Sequence, residues 1–150
     1  MRVTKHTKAC RDFVDRYLGR AWKLADGLSE AVVKKAETRL GFPLPSALRS
    51  FFLSVGAVPE LCSIHNIIFH PKDLEVDEGY LIFMDENQSV VSWGIKKNDL
   101  KKADPNTWQR NNTSEKWYSE EKSLVELLSS MFDWYKELGV WKQNRIGNSR

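Results

Sequence analysis

The chain has 150 residues, 41% of them hydrophobic and 29% charged, which is the mix of a globular domain and not of a disordered segment. At this length a single core buries enough surface to fold without a metal or a disulfide. A net charge of +3 is too small to point to nucleic acid, and no run of about 18 apolar residues offers a bilayer span.

Residues 1–10 are polar and basic and lack the apolar stretch of a signal peptide. Cys10 and Cys62 are the two cysteines, without repeated spacing. They read as reduced thiols, so the expectation is a cytoplasmic protein. A first helix is predicted over 7–18, where Cys10, Phe13, Val14, Tyr17 and Ala21 recur at helical spacing. Ser29 is a suitable N-cap for a second, with Leu28 as a hydrophobic staple and Val32, Val33, Ala36 and Leu40 as its apolar stripe. Gly41 occupies the C′ position and Pro43 prevents the helix from resuming. A third helix is predicted over 46–55, packing through Leu48, Phe51 and Phe52 and stopping at Gly56.

The period then changes. Residues 64–69 and 80–84 are short runs of β-formers, and 90–95 alternates with Val91, Trp93 and Ile95 on one side. The polar stretch 85–89 predicts a hairpin turn with Asn87 at positive φ. Residues 96–121 read as loop. A last helix begins near 119–123, carries Leu124, Leu127, Leu128, Met131, Trp134, Tyr135 and Leu138 as its core stripe, and ends at Gly139. The packed core is expected over about 22–138, with 139–150 a frayed basic tail. Helices first, a mainly antiparallel sheet in the middle and a closing helix predict an α+β fold in one domain.

This order of parts carries a set of motifs. Ala36-Glu37-x-x-Leu40-Gly41-x-x-Leu44-Pro45-x-x-Leu48-Arg49-x-Phe51, closing at Gly56, resembles the N-terminal signature of the SUKH superfamily, the Smi/Knr-type domains. Tyr80-Leu81-Ile82-Phe83 followed by Glu86-Asn87-Gln88-x-Val90-x-x-Trp93-Gly94-Ile95 resembles the central hairpin of many bacterial members, and Asp99-Leu100, Asp104-Pro105, Trp117 and Ser123-Leu124 continue the pattern. The resemblance spans about residues 22–131. After Asp104-Pro105 the family often has another proline and a valine, whereas this chain has Asn106-Thr107-Trp108 and then a longer polar loop over 109–114. The resemblance implies an α+β fold and, for bacterial members, an immunity protein that neutralises a polymorphic toxin inside the cell, often a nuclease. Eukaryotic relatives resemble signalling or scaffold modules. No catalytic residue set is implied, and the expectation is a binding protein, not an enzyme, that carries no cofactor. A regulatory scaffold module and a small hydrolase or transferase are the alternatives.

Cys62-x-x-His65-x-x-x-x-His70 is the strongest metal candidate. On a strand its odd spacings put Cys62 and His70 on one face and His65 on the other, which argues against a zinc site. No glycine-rich phosphate loop or nucleophile elbow is present. Charge is unevenly spread: residues 1–23 hold seven basic groups against Asp12 and Asp15, and residues 60–86 hold seven acidic groups against Lys72. Solvated faces are the plain reading of such runs. The sharper one is that Glu75, Asp77, Glu78, Asp85 and Glu86 form a docking surface for a protein partner. Trp93, Trp117 and Trp134 are expected in or at the core. Trp22, Trp108 and Trp141 are the candidate exposed anchors, and Trp108 joins the acidic group as a partner-binding residue.

Overall fold

The computed structural model describes residues 3–142 and is an α+β fold. Helix α1 (Lys5–Phe13) runs into a π-helical turn, Val14–Leu18. Helices α2 (Glu30–Leu40), α3 (Ser46–Val55) and the short α4 (Pro59–Cys62) follow. The sheet comprises β1 (Ile67–Ile68), β2 (Glu75–Asp77), β3 (Tyr80–Asp85), β4 (Val91–Lys96), β5 (Asn106–Asn111) and β6 (Lys116–Ser123). Helix α5 (Leu124–Leu138) closes the fold. All pairings are antiparallel, in the order β1-β3-β4-β5-β6, with β2 also on β3.

The helix ends obey the chemistry read from the sequence. Ser29 Oγ accepts from the Val32 amide, and Gly41 closes α2 at φ 87. Ser123 and Glu126 form a capping box at the start of α5, with Gly139 at its end. Helix α3 is almost wholly buried, from Ala47 to Val55, except at Arg49. It lies between α1, α2 and α5, and its Phe51 and Phe52 join Phe83, Leu81 and Ile95 from the sheet and Leu124, Leu128 and Phe132 from α5 in one core.

The motif that carries the family resemblance does structural work here. The Glu37 carboxylate, 9% exposed, accepts from the Leu44 amide at 2.6 Å and from the Arg49 guanidinium at 3.0 and 3.2 Å. One side chain therefore joins α2, the turn after it and α3. Leu44, Leu48 and Phe51 fill the core beneath.

Four expectations are corrected. Residues 106–111 and 116–123 are strands, not loop; their sequences hide this because neither carries an apolar run. The positive φ in the β3–β4 turn belongs to Ser89 (φ 60), because Glu86 Oε1 accepts from the amides of Gln88 and Val90 and shapes the turn itself. Trp134 and Leu138 are about half exposed, at the rim of the α5 stripe. Finally, the core exceeds 22–138 at both ends. Cys10, Phe13, Val14 and Tyr17 are buried, and Trp141 is 6% exposed, packed on Tyr17, Phe132 and Tyr135 with its indole N–H donating to the Glu60 carbonyl at 2.9 Å. Of the expected tail, residues 143–150 lie outside the described residues.

Trp141→Ala should therefore cost about 3–5 kcal/mol in urea unfolding, the range for a buried aromatic; a loss below about 0.5 kcal/mol would contradict the packing. Asp26 generates a second expectation. It is 3% exposed and holds Arg20 through two 2.9 Å bonds. The Arg20 hydrogen bond, helped by the Lys23 amide, keeps its carboxyl below the ordinary value. A depressed carboxyl stabilises the fold fully above the unfolded pKa of about 3.9 and ceases to as pH falls through the folded one. Asp26→Asn should lower stability by about 1–3 kcal/mol near neutrality and flatten the loss of stability below about pH 4. An unchanged acid limb in the variant's pH–stability curve would remove Asp26 from that role.

Candidate functional site

A groove of about 430 Å³ opens between α5 and the sheet. Its sheet wall is Met84, Val91 and Trp93, and its helix wall is Leu127, Met131 and Trp134. These apolar walls carry a polar rim of Glu86, Glu120, Lys122 and Ser130. Beside the groove β6 bulges: the register slips between Trp108↔Ser119 and Asn106↔Ser123, with Glu121 at φ 56. Across it, Glu120 Oε2 accepts from the Trp93 indole N–H at 2.9 Å. At the closed end the buried Asn66 donates its backbone N–H to the Tyr135 hydroxyl (2.9 Å) and its side-chain N–H to the Met131 sulfur (3.5 Å). His65 stands edge-on to Trp134 and Tyr135 at 5.5 and 5.3 Å.

Trp134 is the group that sequence reasoning misplaced. It is 46% exposed on the groove's helix wall, and the exposed Ile67 and Val90 belong to the strand and turn beside Asp85 and Glu86. Helical spacing alone assigns it to the core, since it follows Met131 by three residues. The signal that could have found it is the chain's six tryptophans, more than one core of this size needs.

The six expected partner-binding residues fall in three places. Glu75 and Asp77 lie on β2 and Glu78 in the turn to β3, all exposed. Asp85 and Glu86 stand at the far end of β3, and since Glu75 pairs with Ile82 and Asp77 with Tyr80, Asp85 lies roughly 10 Å along the strand from the level of Glu75 and roughly 16 Å from that of Asp77. Asp77 is paired with Arg110 at 2.8 Å, and Asp85 accepts from the Ser92 hydroxyl. Glu75, Glu78 and Glu86 take part in no ion pair among the described residues.

Trp108 is half-buried on β5, not on an exposed loop. It belongs to a layer on the sheet's outer face, where Lys96 Nζ lies 4.0 Å from its ring centre and Tyr80 meets it edge-on. Trp117 reaches across from β6 to stack on Tyr80 at 3.7 Å, over Gly94, where a Cβ would come within 3.1 Å of the indole. This layer spends its aromatic faces internally. Trp22 is likewise engaged, with Arg11 over its ring at 3.9 Å and its N–H donating to the Ser54 carbonyl at 2.6 Å.

The strand expected over 64–69 shrinks to Ile67–Ile68, so the argument that divided Cys62, His65 and His70 between strand faces does not apply. Cys62 ends α4, His65 lies in the following bend, and His70 Nδ1 accepts from the Lys72 amide. Among the described residues no three His, Cys, Asp or Glu side chains gather as a metal-binding set. No described helix is long and apolar enough to cross a membrane. The chain matches no protein-family model and no curated protein.

Both cysteines are free, and burial pushes each thiol up to about 12. A thiolate is the reactive form. The native protein should therefore leave both unmodified by a disulfide reagent at pH 8, with two equivalents reacting after denaturation; fast reaction of either in the native state would reopen nucleophilic chemistry.

Proposed function

We propose that this chain is a protein-binding inhibitor, an immunity protein that acts in the cytoplasm by covering the active face of a cognate toxin. The observation that carries the reading is the acid-rimmed apolar groove with a half-exposed tryptophan on its wall. Exposed apolar area beside charge is characteristic of protein interaction sites, and tryptophan is enriched among the residues that dominate binding energy. The unpaired carboxylates of Glu75, Glu78 and Glu86 supply a second element. A toxin that acts on nucleic acid presents a basic cleft, because phosphate neutralisation dominates such binding. Acidic groups aimed at that cleft steer association and compete with the phosphates.

The sequence resemblance supports the same reading, and its motif residues serve the packing of α2 and α3, which frees the surface to vary with the partner. Trp134 and the groove then account for residence time, and the acidic turns for on-rate.

The test is co-expression with toxin domains that act inside the cell, nucleases first, followed by measured binding of the purified pair. The chain should restore growth. Trp134→Ala should weaken the complex by about 2 kcal/mol or more, roughly thirtyfold, mainly through dissociation. Glu75→Lys with Glu78→Lys should slow association at low salt while leaving stability intact. Failure to protect, or full affinity in the Trp134 variant, would reject the proposed interface.

A further inference from the structure

A second concave site shares no residue with the groove. Between α2 and the turn Pro71–Asp73 runs a trough of about 330 Å³. Val32 and Ala36, one helical turn apart, make its floor, and Lys35, Arg39, His70 and Lys72 make its rim. No carboxylate lines it, and none of Lys35, Arg39 and Lys72 enters an ion pair among the described residues.

The rim is built to donate. Arg39 Nη2 is held by the carbonyls of Pro71 (3.0 Å) and Leu74 (2.9 Å), which anchors the guanidinium across the trough. Its remaining N–H groups have no protein acceptor among the described residues. His70 Nδ1 accepts from the Lys72 amide at 3.0 Å, so a neutral imidazole carries its proton on Nε2 as a further donor. Two ammonium groups, one guanidinium and one imidazole thus border one depression, and the one acceptor among them, His70 Nδ1, is already taken by the Lys72 amide. Like charges so arranged repel, and an anion in their midst relieves the repulsion.

We propose that this trough binds a small phosphate monoester with an apolar or aromatic body. A phosphate dianion matches three cations better than a singly charged carboxylate, and a fixed guanidinium suits phosphate oxygens. The floor of Val32, Ala36 and the lysine stems takes the apolar body. Small-ligand sites begin at about 300 Å³, so the ligand is no larger than a single ring with its phosphate.

The experiment is a titration of the full chain, followed by amide NMR, with phenyl phosphate, and in parallel with neutral benzyl alcohol. Phenyl phosphate should shift amides of residues 35–39 and 70–74 saturably, with Kd at or below about 1 mM. Lys35→Gln with Lys72→Gln, two exposed positions that no fold contact needs, should raise that Kd about tenfold with an unchanged spectrum elsewhere. Absence of saturation, equal binding of benzyl alcohol, shifts confined to other residues, or an unaltered Kd in the double variant would each overturn the proposal.

Discussion

One buried carboxylate sets the frame on which the rest of this molecule is arranged. Glu37 accepts from the Leu44 amide and from both arms of Arg49, so the exit of α2, the turn at Gly41 and the first turns of α3 are fixed to one another. Helix α3 is the element that every other layer touches, because only Arg49 along its middle escapes burial. Its placement decides where α1 and α5 pack, and through α5 how much of the sheet is covered. Without Glu37 the Leu44 amide would lose its acceptor and Arg49 would keep only Glu30, at 3.2 Å, at the edge of the core, where unpaired polar groups are costly.

From that frame the two faces of the sheet acquire different fates. On the inner face, α5 packs against β5 and β6, and between it and the ends of β3 and β4 lies the groove bordered by Trp93 and Trp134. On the outer face no helix of the described residues covers β3, β4 and β5. Instead Trp117 lies across Gly94 onto Tyr80, and Lys96 and Arg110 lie against the indoles. Ile82, 2% exposed yet apart from the main core, is buried on this side. The aromatic residues of the outer face protect the sheet, and in the groove Trp134 remains half exposed.

The legible parts of the fold were those governed by local chemistry. Ser29, Gly41, Ser123 and Gly139 mark helix ends because caps and left-handed turns restrict residue type. Strands β3 and β4 were legible from their β-branched and aromatic runs. Strands β5 and β6 were not, since both are mostly polar in sequence and so lack a two-residue apolar period. Among the site residues, Glu86 was found by charge, but its second duty of closing the turn with Oε1 was not. Trp134 and Trp141 exchanged expected roles. The first follows the helical stripe yet lies where α5 leaves the sheet, and the second follows a helix-ending glycine yet folds back onto Tyr135. Both outcomes depend on contacts distant in sequence.

The central claim is that partner binding uses the groove between α5 and the sheet. Hydrogen exchange on a purified complex with a toxin domain that the chain is found to neutralise tests it most directly. Amides of residues 84–91, 118–122 and 127–138 should exchange more slowly in the complex than in the free chain, while those of the outer aromatic layer on β5 stay unchanged. Protection confined to β5 or to the α2 trough, with none along the groove, would contradict the account.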